Sequence, residues 1–372
     1  MAALALLVAL LLGSCSATDA IHAVRLGTPT DVGADPSGAV VLPTEACGDY
    51  FIAETYVDGA GPFAMLLDTG AGTTVISRHV ADEAGVRSRI ERIDIGELHV
   101  EGRIRCAVRE LDHLSDALGM RIDGILGHPV FRKVLLTYDY PEQQIRVRIG
   151  ELTDDLPGLA PMSTSRRPMI GAMVGDTKVN VLLDTGSSHG LSLSGFDELD
   201  FATPPSPVGG RMRIDGLHLM HAGRLRDNVR FGSFRLAQPI VRDAVSHSLL
   251  GHAILRDYVV TVDQQRGRVQ IVRSDGAAAS EPLASATLYG TGWVLWPEDD
   301  RLVVRRVFEG SAAEAAGLQP GDVLLEVGGE SFGELGCSRR SARADVPTRT
   351  TYTIERDGEQ FEVEVTTGVI VE

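Results

Sequence analysis

Apolar and polar residues alternate in short runs from Tyr50 onward, and Gly or Pro punctuates them every few residues. Amphipathic stretches long enough for extended helices are scarce. Period-two alternation bounded by turn residues predicts a mainly β protein. Two runs end abnormally. Leu66-Leu67 and Leu182-Leu183 read as ends of buried strands, yet each is followed by Asp-Thr-Gly, at Asp68–Gly70 and Asp184–Gly186. A charge there costs several kcal/mol unless something satisfies it.

The repetition extends beyond these five residues. "ILGHPVFRKVLLTYD" at 125–139 matches "LLGHAILRDYVVTVD" at 249–263, sharing Gly127/Gly251, His128/His252, Arg132/Arg256, Thr137/Thr261 and Asp139/Asp263. Between these blocks, "DIGELHV" at 94–100 matches "RFGSFRL" at 230–236. Two units of about 110 residues therefore share one element order, which signals homologous lobes. The second unit holds extra residues that include "RMRIDGLHLM" (211–220). Asp-Gly between alternating apolar residues is a strong hairpin signal. A long hairpin is expected there, with Ile214, Asp215, Gly216 and Leu217 at its tip, and the first unit has no room for an equivalent.

The N-terminus changes the picture of location. Residues 2–12 are uninterrupted Ala, Leu and Val, too few to span a bilayer, which takes about 20. Gly13-Ser14-Cys15 follows, and a short apolar core ending in small residues reads as an export signal. "LGSC" resembles a bacterial lipobox, which implies lipidation of Cys15 and a membrane anchor facing the periplasm, a cleaved secretory form and an uncleaved anchor being the alternatives. Residues 15–44, rich in Gly, Pro and Asp, are expected to form a mobile tether. The net charge of −16 argues against a nucleic-acid partner, because phosphate binding needs a basic face. Besides Cys15 there are Cys47, Cys106 and Cys337. A Cys47–Cys106 bridge and free buried thiols both stand open. No Cys/His spacing suggests a metal site.

The doubled Leu-Leu-Asp-Thr-Gly motif, with apolar-apolar-Gly downstream in each copy, resembles the retropepsin-like aspartic peptidases, here with two lobes fused in one chain. The resemblance covers roughly residues 50–273. It implies two tandem β lobes forming a pseudo-dimer in a monomeric chain, at 45–150 and 160–273. It also implies that Asp68 and Asp184 form a catalytic pair sharing one proton and activating a water, with no cofactor and no metal. Thr69 and Thr185 would bond across the lobe interface. Gly70 and Gly186 would offer N–H groups to the carboxylates, and Ser187 a hydroxyl. Gly127 and Gly251 would pack behind the aspartate loops, with His128 and His252 as structural residues. His189 is expected on an exposed loop. The hairpin at 211–220 would be a single flap over protein or peptide substrates.

Past a linker at 274–286, "GSAAEAAGLQPGDVLLEVGGE" (310–330) resembles the middle of a PDZ domain, expected over 287–370. Gly290, Thr291, Gly292 and Trp293 would form its peptide-binding loop, which implies a peptide ligand received at a sheet edge. The combined expectation is a cell-envelope aspartic endopeptidase with a PDZ domain for substrate selection or regulation. A non-catalytic peptide-binding scaffold is the alternative.

Overall fold

The computed structural model describes residues 20–26, 38–213, 216–244, 246–274, 283–284, 287–298, 301–331, 335, 337 and 345–372. The chain is mainly β. Cys15 and the apolar leader lie outside the described residues. Among the described residues no helix is long and apolar enough to cross a membrane.

Each of the two lobes is built on one β-sheet, and the same pairing recurs in both. In lobe 1 the strand Tyr50–Val57 turns at Asp58-Gly59, both with positive φ, into Ala60–Asp68. In lobe 2, Met169–Val174 turns at Gly175 (φ 55°) into Thr177–Asp184. Two-residue turns with positive φ match the twist of the strands they join. Each aspartate strand then runs parallel to an apolar strand, with Asp68 beside Gly127 and Asp184 beside Gly251. The middle match holds as well: Gly96 and Gly232, at φ 52° and 58°, turn the hairpins Ile95/Leu98 and Phe231/Phe234.

The lobes meet in a third, six-stranded sheet. Leu135–Asp139 of lobe 1 pairs antiparallel with Tyr258–Asp263 of lobe 2, Thr137 facing Thr261 with their hydroxyl oxygens 3.0 Å apart. Gln144–Arg148 and Arg268–Arg273 flank this pair symmetrically. Side chains from both central strands enter the core that the two lobes share, among them Leu136, Tyr138, Val260 and Val262. This sheet holds the two aspartate loops at a fixed spacing.

The lobes differ beyond that frame. In lobe 2, Ser206–Arg213 and Gly216–Arg224 form the long antiparallel hairpin expected from the sequence, and it joins the sheet through Ile240–Asp243. Its tip residues Ile214 and Asp215 lie outside the described residues. Lobe 1 instead follows Thr74–Ile76 with the short helix Arg78–Glu83, whose Val80 N–H donates to the Ser77 hydroxyl at 3.3 Å. The chain then enters Arg89–Ile95 directly, with no hairpin between.

Three expectations need correction. The stretch expected to be a mobile tether supplies strands: Ala20–Leu26 pairs with Leu98–Val108, and Val40–Val41 with Gln144–Arg148. The alternating "AIHAVRL" covers the strand edge at residues 98–103, as Leu283–Ala284 covers the matching edge at 236–237 in lobe 2. The linker is not free of structure either, since Leu283–Ala284 pairs in parallel with Phe234–Ala237. Cys47 bonds to Cys337 in the C-terminal domain, and Cys106 remains a buried free thiol. Sequence position gave no hint of this pairing, because the partners are 290 residues apart.

The C-terminal domain has its own five-stranded sheet with one short added strand, closed around Trp293, Val304, Tyr352 and Ile354. Its helix Ala312–Ala315 begins with a reciprocal cap. The Ser311 hydroxyl accepts the Glu314 N–H at 3.2 Å, and the Glu314 carboxylate accepts the Gly310 N–H at 2.7 Å. The domain is docked onto both lobes. Cys337 is tied to lobe 1, and Asp345 pairs with Arg256 of lobe 2 at 3.0 Å. Strands Trp293–Glu298 and Gly368–Val371 lie against the lobe 2 hairpin, and the terminal Glu372 accepts from Arg224.

Candidate active site

Asp68 and Asp184 end their strands at the seam between the lobes, and their carboxyl groups are in hydrogen-bonding contact. The Gly70 N–H donates to Asp68 Oδ1 at 2.7 Å, and the Gly186 N–H to Asp184 Oδ1 at 3.1 Å. The cost of ending a buried strand in a carboxylate is offset by these donors. Glycine is required at both places for a second reason. A Cβ on Gly70 would lie 2.5 Å from the Asp184 carboxyl carbon, and one on Gly186 would lie 2.5 Å from that of Asp68.

Thr69 and Thr185 lock the loops to each other. The Thr69 N–H donates to Thr185 Oγ1 at 3.0 Å, and the Thr185 N–H donates to Thr69 Oγ1 at 3.1 Å. Each hydroxyl then donates onward, Thr69 to the Leu183 carbonyl at 2.7 Å and Thr185 to the Leu67 carbonyl at 3.3 Å. Both threonines are buried. Gly127 and Gly251 pass behind the loops, where a Cβ would press on the Thr73 backbone and on the His189 and Ser187 carbonyls respectively.

The electrostatics of the pair are asymmetric. Burial raises both carboxyl groups above the ordinary aspartate value. Asp184 is pushed well above it, because the charge of Asp68 and the bond to Asp68 add to burial. Asp68 is held back by the Gly70 N–H and by the bond from Asp184. Two carboxyl groups in contact disfavour each other's charge, so they do not ionise independently.

The Ser187 hydroxyl accepts the His189 N–H at 3.3 Å, and among the described residues it makes no bond to an aspartate. His189 is buried rather than exposed, because the loop folds back so that Gly251 N–H reaches the Gly190 carbonyl. His128 is buried, and burial followed by the charge of Arg132 pulls it down to about 3, so it stays neutral. His252 faces Asp49 of the other lobe at 3.2 Å. In the C-terminal domain, Thr291 and Trp293 are buried, Trp293 meeting Tyr352 edge-on at 4.9 Å. The Thr291 and Gly292 carbonyls accept the Ala313 and Phe308 N–H groups. Gly290 lies in a strand against Gly368.

Two residues beside the pair escaped the sequence reading. Tyr50 bonds to Ser188, and burial with the charges of Asp184, Asp68 and Asp49 pushes its phenol up to about 12. Arg167 packs against Gly72 and draws Asp184 downward by its charge. The register makes them counterparts, because Ile52 pairs with Leu66 as Met169 pairs with Leu182, and Tyr50 and Arg167 each lie two residues earlier. That signal was available in the repeat but needed the register to be seen.

Family comparison decides the class of both domains. The model described as "Aspartyl protease" matches residues 53–115, and that described as "PDZ domain" matches residues 303–356. The chain has an aspartyl protease domain followed by a PDZ domain. The first match takes in Asp68 and stops short of lobe 2. No curated protein matches the chain. A crystal structure of a PDZ domain protein from Parabacteroides distasonis is similar over 22% of this chain and 20% of that one, at 18% identity and a TM-score of 0.20. Among the described residues no group of His, Cys, Asp and Glu is placed to hold a metal ion.

Proposed function

We propose that this chain is an aspartic endopeptidase of the bacterial cell envelope, working through Asp68 and Asp184. The reciprocal threonine lock carries the reading. It fixes two carboxyl groups against each other at a loss of stability that a purely structural seam has no reason to bear. The ionised Asp68 takes a proton from a water lying between the two carboxyl groups, and that water attacks the substrate carbonyl carbon. The protonated Asp184 donates to the carbonyl oxygen as it gains charge. Collapse of the tetrahedral adduct returns a proton to the departing amine, which breaks the C–N bond without a covalent enzyme intermediate.

The lobe 2 hairpin serves as the flap that covers substrate and excludes water. Gly290–Trp293 and the Trp293–Glu298 edge receive a peptide in the PDZ domain. Because that strand also lies against the flap, peptide capture and flap position are coupled. Lipidation at Cys15 holds the enzyme at the membrane. Cys15→Ala is expected to release it to the soluble fraction and to abolish labelling by radioactive palmitate.

The deciding experiment follows casein and peptide-library hydrolysis between about pH 3 and pH 8, with a statine-type transition-state mimic. Inhibition by the mimic, and loss of turnover in Asp68→Asn with PDZ peptide capture retained, support the reading. Undiminished turnover in Asp68→Asn contradicts it. Peptide capture without turnover in the wild type would make the chain a binding scaffold.

A further inference from the structure

The register identifies which side chains share the face that carries Asp184. Leu182 lies two residues before it on the same strand, hence on the same face. Leu182 pairs with Leu249, Leu249 with Ser192, Ser192 with Arg242, and Arg242 with Ala222. Their neighbours Leu183, Leu250, Leu191 and Val241 point the other way and belong to the main hydrophobic core. Leu182, Leu249 and Ala222 are buried but lie outside that core. Arg242 therefore stands on the Asp184 side of the sheet. Three strand spacings separate its strand from that of Asp184, about 14 Å in all, and a long side chain closes about half of that.

An arginine is unexpected here. Arg242 is half-buried, and the charge that acts on it is that of Asp243, which alternation places on the opposite face. Among the described residues no ion pair or hydrogen bond engages its guanidinium. Beside it the Ser192 hydroxyl is buried and has no partner. The matching positions in lobe 1, by the same pairings, are Ala107 for Arg242, Val75 for Ser192 and Ile125 for Leu249. There the face is apolar and roofed by the helix Asp112–Leu118, through Leu114 and Leu118. Among the described residues of lobe 2 no helix stands between Ile240–Asp243 and Leu249–Gly251. A desolvated guanidinium next to an unpaired hydroxyl is a site for a carboxylate.

We propose that Arg242 and Ser192 form a carboxylate-receiving pocket in the lobe 2 half of the cleft, which selects substrates with an Asp or Glu side chain at the position it receives. This inference rests on the peptidase reading. It adds a substrate class that the lobe 1 half of the cleft does not share.

The test sweeps Glu, Gln and Lys through each position of one peptide with acetylated and amidated ends, so that the swept residue is its sole carboxylate. The expected result is one position at which Glu exceeds Gln in kcat/KM by about tenfold or more, the size of a charge-assisted bond. In Arg242→Gln that ratio falls to about one, in Arg242→Lys it is partly kept, and in Arg242→Glu the preference turns to Lys. A ratio that survives in Arg242→Gln, or a wild type with no Glu preference at any position, overturns the pocket. Fluorescence anisotropy of the same peptides gives a readout independent of chemistry. Selective Glu binding that is lost in Arg242→Gln upholds the pocket even if nothing is cleaved, and then the hydrolytic reading alone fails.

Discussion

Lobe 1 and lobe 2 share a frame and differ in what they build on it. The frame comprises the aspartate strand, the Gly strand behind it, the threonine lock and the central sheet, where Thr137 meets Thr261. These elements lie near the pseudo-twofold, where a change in one lobe immediately misfits the other. Away from the axis the constraint lapses. Lobe 1 has no long hairpin before Arg89–Ile95, pairs Ala20–Leu26 along Leu98–Val108, and roofs its Asp68 face with a helix and Cys337. Lobe 2 has the hairpin and sets Arg242 beside Ser192 on the Asp184 face. Duplication thus preserves symmetry where two halves must make one site, and the rest is free to diverge.

The sharpest way to break this comparison is to disturb the symmetric frame in each lobe separately. Gly70→Ala and Gly186→Ala each push a methyl group into the opposite carboxylate, so each is expected to lower kcat/KM by about 100-fold or more. A large loss in one variant with none in the other, measured on a single peptide, would show that the lobes are not equivalent at the pair.

The asymmetric elements are probed by the disulfide. Cys337→Ser removes a link between residues 290 positions apart and should cost about 2–4 kcal/mol of stability. The loss should fall on docking of the PDZ domain, so limited proteolysis between the domains should speed up while the lobes stay folded. Unchanged proteolysis and melting would mean that the Arg256–Asp345 pair and the flap contact suffice alone.

Thr69→Ala and Thr185→Ala should each destabilise by about 1–3 kcal/mol, because each strands a buried N–H of the other lobe. Near-equal losses in urea melts fit the reciprocal lock, and additive losses in the double variant would contradict it, since the two hydroxyls share one network.

The smallest effect is a gain. A carboxyl group whose folded value is raised binds its proton more tightly in the folded state than in the unfolded chain. Stability therefore falls as pH rises from the ordinary aspartate value, about 3.9, through the raised value of Asp184. Asp184→Asn should raise stability by about 1 kcal/mol at pH 7. The gain should vanish near pH 3, where the wild-type carboxyl groups are protonated. A loss of stability at pH 7, read by thermal melting, would mean that the pair is not strained.

Much of the frame was legible in the sequence because it is written twice. The repeated Asp-Thr-Gly, the apolar-apolar-Gly strands and the single hairpin all follow from pattern and spacing. What escaped depends on contacts between distant segments. Ala20–Leu26 looks like a tether until the bare edge that it covers is seen. Cys47 and Cys337 belong to different domains, and no spacing rule joins them. Ser187 sits close to an aspartate in sequence, yet its hydroxyl turns to His189. Tyr50 and Arg167 became counterparts only through strand register. Arg242 reads as an ordinary strand residue until alternation places it on the Asp184 face.

The central claim is that Asp68 and Asp184 share one proton and that hydrolysis needs this state. The pH–rate profile of the wild type on one peptide, from about pH 3 to pH 9, tests it most directly, with Asp184→Asn alongside. The account predicts a bell, with an acid limb where Asp68 takes up a proton and a fall at higher pH where Asp184 gives one up, and no turnover in the variant. A rate still rising at pH 9, or an unchanged profile in Asp184→Asn, would contradict it.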